Sequence, residues 1–379
     1  MKCLSRRVRL IVITCFAIAL YTYDIVSDIL LDIAYAREES HALEFGLTTA
    51  YIIVPAIICN FVCVYFIRLE TTHHNVYRTI ELVLTFPFLL GPLVRQFKIL
   101  ILELRKKDSK RVQTHAALVT LLEGYYESAS QLILQFYLTI TRHDDDEEFT
   151  TRFLRYASML GSSAGLAWAL VSVRRTNRLH DDDDTTDEST CGSVVFFLAT
   201  LTAVGPRIVL MALFASQYTF YAFVLGGIHW FVCSGWIFLM DRTKDRFKPI
   251  NVFLKCLLGY PLIFCFVDLD YVYTEKAREH VPTRYKMAIY YLIFYIENWT
   301  MLGLWLRKTE HKSSWFLPTV IAGAAMLMIL HFFFQAIYYK CCHPKSVEIP
   351  VLRQIEVNSC LYAEPDDVQD EMIESSTES

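Results

Sequence analysis

The chain has 379 residues, 54% of them hydrophobic and 14% aromatic, with a mean hydropathy of +0.33. That is more apolar than a water-soluble chain, and the apolar residues fall in runs long enough to cross about 30 Å of hydrocarbon. A net charge of −4, with no basic stripe alternating with aromatics, excludes a nucleic-acid partner.

In chain order, the opening MKCLSRRVR and LIVITCFAIAL look like a signal peptide. No small-x-small cleavage site precedes Asp24, and the helical pattern continues past it, so the expectation is a retained first helix with a cytosolic N-terminus. Apolar runs follow over Val8–Tyr35, Leu43–Phe66, Thr79–Val94, Val112–Thr141, Phe153–Val173, Cys191–Ala215, Thr219–Met240, Val252–Asp268, Lys286–Leu306 and Trp315–Tyr339. The basic connections Arg68–Arg78, Arg95–Arg111, Arg174–Arg178, Arg242–Lys248 and Lys340–Lys345 are expected on the cytosolic side.

Thr79–Val94 lies between two of these basic segments and contains Pro87, Gly91 and Pro92. A run with both ends on one side cannot cross once, so it reads as a re-entrant hairpin. Val252–Asp268, with Gly259 and Pro261 at its centre, repeats the arrangement. The fold class is therefore an all-α membrane protein with about eight transmembrane helices, two re-entrant Pro/Gly hairpins and cytosolic termini. The order of crossings and hairpin suggests two pseudo-repeats, over residues 8–141 and 191–306, with additional helices at 153–173 and 315–339. Residues 1–340 form the membrane domain and 341–379 a cytosolic regulatory tail. The acidic stretches Arg142–Glu148 and His180–Glu188 read as solvated loops.

Ionisable residues inside spanning helices cost roughly 2.5–3.5 kcal/mol each on insertion scales. Here they are ordered. Asp24, Asp28 and Asp32 repeat at i, i+4, as do Glu123, Glu127, Gln131 and Gln135. A four-residue step drifts by only about 40° around a helix, so each set forms one polar stripe. Arg207 follows Pro206 in a later crossing, and Glu297 precedes Asn298 in another. Such stripes either pair with each other to fix helix packing or line a water-filled groove. Arg207 reads as the only base facing this surplus of acids, so some carboxylates must be hydrated or protonated. An acid and amide ladder suits a polar head group, with carboxylates attracting choline or ammonium and Arg207 attracting phosphate. An ion or proton path would use similar residues.

EGYYESASQLILQFY (Glu123–Tyr137) resembles the signature of the XK-related family, as YDIVSDILLDIAY (Tyr23–Tyr35) resembles its acidic first helix. GPRIVLMALFAS (Gly205–Ser216), HW (His229–Trp230) and ENWTM (Glu297–Met301) follow in the family's order, while Ser130 stands where proline is usual. The resemblance implies eight crossings, two re-entrant hairpins and a multi-pass plasma-membrane protein. Some members scramble phospholipids after caspase cleavage and expose phosphatidylserine on dying cells. At least one member partners a surface peptidase and a lipid-transfer protein. The D-x-x-D pattern ending a caspase site occurs at Asp367–Asp370 and, less favourably, at Asp184–Asp187. Val347–Leu361 carries enough apolar residues to dock onto the cytosolic face of the core as a removable plug.

Other motifs lead nowhere catalytic. Gly161-Ser162-Ser163-Ala164-Gly165 matches the G-x-S-x-G pattern of hydrolases but sits mid-helix, where small residues serve helix packing. Cysteines such as Cys59, Cys63 and Cys265 lie inside apolar runs and read as small hydrophobes. Cys341 and Cys342 at a cytosolic helix end are candidates for palmitoylation. No metal, cofactor or enzyme activity is expected. Three functions stay open: a phospholipid scramblase, a membrane scaffold recruiting a single-pass subunit or lipid-transfer protein, and an ion or proton transporter.

Overall fold

A computed structural model describes residues 6–37, 41–70, 76–85, 90–141, 148–178, 190–240, 247–267, 283–308 and 316–342. Every regular element among them is helical. They are α1 (Arg6–Arg37), α2 (Ala42–Glu70), α3 (Val76–Thr85), α4 (Gly91–Leu104), α5 (Lys110–Glu123), a π-helical turn (Gly124–Ser128) and α6 (Ala129–Thr141). Then come α7 (Phe149–Arg178), α8 (Thr190–Met240), α9 (Pro249–Gly259), a 3-10 turn (Pro261–Ile263), α10 (Thr283–Lys308), α11 (Phe316–Ile337) and a last π-helical turn (Tyr338–Cys342).

The core is mainly apolar, but so is the exterior, and several acids are buried. On α1 the exposed side chains include Val12, Phe16, Val26, Ile29 and Ile33, while Asp24, Ser27 and Asp28 are buried. An apolar exterior over buried acids is stable only where hydrocarbon replaces water at the surface. Among the described residues five helices are long and apolar enough to cross a membrane: α1, α2, α7, α8 and α11. Within α8, Tyr218 leaves helical geometry (φ −136°, ψ 49°), so two helices meet there at a kink. This break falls where the apolar runs ending at Ala215 and starting at Thr219 place it.

α5, the π turn and α6 form one uninterrupted helical stretch, Lys110–Thr141. It falls short of the apolar criterion for a free-standing span, yet nearly every residue from Val112 to Leu132 is buried. Neighbouring helices, including α2, α4 and α7, pack around it. A helix screened from lipid by protein tolerates acids and amides that a lipid-facing helix cannot.

Both Pro/Gly runs are broken helices. α3 and α4 are separate, and Pro92 opens α4. α9 stops at Gly259, where the 3-10 turn begins at Pro261. The connection expected over Arg95–Arg111 is largely helical: α4 runs on to Leu104, and Arg95 is buried against Glu70.

Candidate functional site

The acids of α1 face α7 and the central helix formed by α5, the π turn and α6. Asp24 is 4% exposed and accepts hydrogen bonds from Ser162 (2.9 Å) on α7 and Ser128 (3.0 Å) in the π turn. Asp28, 1% exposed, accepts one from Ser158 at 2.5 Å. The close approach depends on glycine. A Cβ on Gly161 would stand 3.0 Å from Asp24 Oδ1 and from the Tyr23 ring, and one on Gly165 would stand 3.3 Å from Asp24 Oδ2. The G-x-S-x-G match is thus a packing surface, as expected: Ser163, the serine of the pattern, donates to the Met159 carbonyl at 2.7 Å, and its neighbour Ser162 is the donor to Asp24.

Glu123 and Glu127 are buried on the central helix, within electrostatic range of Asp24 and Asp28. Among the described residues none of these four acids has a basic partner. Protons, water or a cationic group from outside must balance their charge. The intervening π turn shapes the ladder. A π turn holds more residues than an α turn, so the step from Glu123 to Glu127 under-rotates and takes back part of the α-helical drift. Gln131 and Gln135 therefore stay near the same line.

Beyond the acids, the polar line continues toward the C-terminal end of α1. Gln131 Nε2 donates to the Thr48 carbonyl (3.2 Å), and Gln135 Oε1 accepts from the Tyr35 hydroxyl (2.8 Å). Arg155 Nε in turn donates to that hydroxyl at 3.1 Å. Asp32 is partly exposed and accepts from Thr49 (2.8 and 3.0 Å). Among the described residues, Asp28 Oδ2, Gln131 Oε1 and Gln135 Nε2 are buried without a hydrogen-bond partner. Buried polar atoms of this kind need an explanation such as water or a ligand.

Arg207 does not join this group. Its guanidinium donates to Glu297 (2.6 Å), to Asn298 Oδ1 (2.8 Å) and to the Ile263 carbonyl (3.3 Å), with His229 Nδ1 also 3.2 Å from Glu297. The predicted stripe residues thus form two clusters: one on α1 and the central helix, the other joining α8, α10 and the 3-10 turn. Nor is Arg207 the single buried base, because Arg95, Arg155 and Lys255 are buried too.

The sequence reading missed the network around Glu70. Arg95 pairs with it through both terminal nitrogens, Lys98 Nζ lies 3.0 Å away, and His115 Nδ1 lies at 2.5 Å. Lys98 also bridges to Glu81 on α3 at 2.7 Å. The network ties the broken α3–α4 segment to α2 and α5.

A cavity of about 440 Å³ opens between α1, α4, α5, α7 and the start of α8. A smaller one shares Ala17, Gln96 and Trp168 with it and is lined at its far side by Asp24 and Glu123. Cys341, exposed, and Cys342, partly exposed, lie in the last π-helical turn. Asp184, Asp187, Asp367 and Asp370 lie outside the described residues, as does Val347–Leu361.

An all-helical bundle with an apolar exterior and four buried acids that have no basic partner among the described residues defines a multi-pass membrane protein. A family model described as XK-related protein matches residues 12–344. The chain belongs to the XK-related family. It is also similar to XK-related protein 8 of Gasterosteus aculeatus, 26% identical over 239 residues, which is 62% of this chain. The match spans 54%, about half, of that relative's length.

Proposed function

We propose that this chain is a phospholipid scramblase of the plasma membrane whose acid and amide ladder guides the polar head group between leaflets. The observation that carries the reading is the cluster of Asp24, Asp28, Glu123 and Glu127, buried in a membrane core with no basic partner among the described residues. A stability device would pair such charges; a pathway leaves them for water and a passing ammonium or choline group. Gln131, Gln135 and Asp32 extend the line toward the opposite surface, and the acyl tails stay in lipid alongside. In this reading α1, α2, the α5–α6 stretch, α7, the two halves of α8, α10 and α11 make eight crossings. Both termini are cytosolic, and the broken α3–α4 and α9 segments are re-entrant. Arg207 and Glu297 brace the second half of the bundle and serve the phosphate side of the path.

Cleavage at Asp370 by a caspase, removing a plug formed by the tail, is the proposed trigger for phosphatidylserine exposure in apoptosis, with Asp187 a less favoured site. Palmitoylation of Cys341 and Cys342 would hold the root of the tail at the membrane. The test uses purified protein in liposomes with fluorescent lipid in both leaflets, bleached by dithionite before and after cutting at Asp370. Bleaching past half is expected after the cut, and not in the Asp370→Ala chain. The pair Asp28→Asn with Glu127→Gln is expected to hold bleaching near half while leaving surface expression intact. Normal lipid movement in that double variant removes the acids from the mechanism. Bleaching stuck near half in every wild-type sample favours a scaffold that recruits a single-pass subunit or a lipid-transfer protein. Voltage-dependent current through the pure protein would favour an ion transporter.

A further inference from the structure

The larger cavity has three features that together specify a ligand. Its mouth is bordered by Val12 and Phe16 of α1 and Val194 of α8, which are 56%, 50% and 53% exposed. On a bundle whose exposed surface meets hydrocarbon, these side chains face acyl chains, so the cavity opens sideways into the bilayer. Its rim carries two cations, Arg9 on α1 and Arg175 near the end of α7. The described start of α8 contributes the hydroxyls of Thr190 and Ser193. Its wall is mostly apolar, with buried Ile99, Ala116 and Ala117, but carries two amides, Gln96 and Gln113, and leads through Trp168 to the pocket of Asp24 and Glu123. Arg9 and Arg175 share one end of the bundle because α1 and α7 run antiparallel, with Phe16 against Trp168 and Asp24 against Ser162.

An apolar lateral mouth, a cationic rim and a mostly apolar wall with two amides match an amphiphile with a negative head group. A volume of about 440 Å³ falls in the roughly 300–1,000 Å³ range of small-molecule sites. We infer that this cavity binds the head group of an anionic phospholipid from the leaflet at the amino-terminal end of α1, the side that the basic loops place in the cytosol. Arg9 and Arg175 hold the phosphate and carboxylate, and the acyl chains lie against Val12, Phe16 and Val194. The inference rests on the scrambling reading only for the lipid's next step, inward to the acids; the binding stands by itself.

The test uses the full chain in nanodiscs of phosphatidylcholine containing phosphatidylserine or phosphatidylcholine brominated near the head-group end of its acyl chains. Quenching of Trp168 is isolated by difference from the Trp168→Phe chain. Brominated phosphatidylserine is expected to quench Trp168 at about one-thirtieth the mole fraction that brominated phosphatidylcholine needs, from about 1 kcal/mol for each of the two cations near a membrane surface. The Arg9→Gln/Arg175→Gln chain is expected to lose that preference while its other tryptophans quench as before. Equal quenching by the two lipids in the wild type overturns the site, and so does a preference that survives the double substitution. Quenching that appears only after cutting at Asp370 also overturns it, assigning the cavity to the chain's own tail. Preferential binding in a preparation that moves no lipid leaves the site standing and defeats the scrambling reading alone.

Discussion

Asp24 and Asp28 are held by serines on α7 and in the π turn, and a serine donor stabilises a carboxyl group without neutralising it. Removing such a donor strands a buried acceptor at a cost of about 1–3 kcal/mol. Ser162→Ala and Ser158→Ala should each lower the thermal unfolding temperature in detergent, with little change in cell-surface level. Gly161→Val should be worse, because its side chain meets Asp24 and Tyr23 within 3.0 Å. A variant that unfolds at the wild-type temperature would show that α1 and α7 separate easily at this point. The i, i+4 spacing of the aspartates announced a polar face, and it is there. Their partners were harder to find, since Ser128 and Ser162 lie 104 and 138 residues from Asp24. A signal was present, however. Ser158 and Ser162 are themselves i, i+4, beside Gly161 and Gly165, so α7 carries a small polar face that fits the acidic one.

At the scale of elements, the broken α3–α4 segment is anchored twice. Asn60 Oδ1 accepts from the Gly91 amide at 3.0 Å, which caps the otherwise uncapped start of α4. A Cβ on Gly91 would collide with Asn60 and Cys63, at 2.7 and 2.8 Å. At the other end Glu70 gathers Arg95, Lys98 and His115. Glu70→Met leaves Arg95 buried without its partner, at about 3–5 kcal/mol, whereas adding Arg95→Met should recover most of the loss. Thermal unfolding of the single and double variants measures this, and equal loss in both would show that the stranded charge of Arg95 is not what costs the stability. Composition located this segment and its Pro/Gly break. It did not show that the helix outlasts its apolar run, because Arg95 and Lys98 look like solvent-facing residues until Glu70 is brought beside them by the fold. The π turn was equally hidden, as nothing in GYYES distinguishes it from α-helix.

For the whole molecule, the apolar runs and their order were legible because hydrocarbon thickness sets their length. The partition of the polar residues into two clusters was not, since a run's position in sequence does not say which neighbour its polar face meets. Arg207 and the aspartates could have met as well as not. Their separation predicts that Arg207→Gln weakens the contact of α8 with α10 but leaves the Asp24 cluster intact. Cysteine crosslinking between α8 and α10 should drop while crosslinking between α1 and α7 holds. Loss of both would join the clusters into one unit.

Among the described residues the four central acids have no basic partner, which has an electrical consequence under the proposed scrambling function. A zwitterionic phosphatidylcholine crosses without moving net charge, whereas phosphatidylserine carries one elementary charge through the field. A potential of 100 mV weighs that charge at about 2.3 kcal/mol. Membrane voltage would then sort the lipids, speeding one head group in one direction while leaving the other indifferent, unless a proton from the acids travels with the serine head group and makes its passage electrically silent.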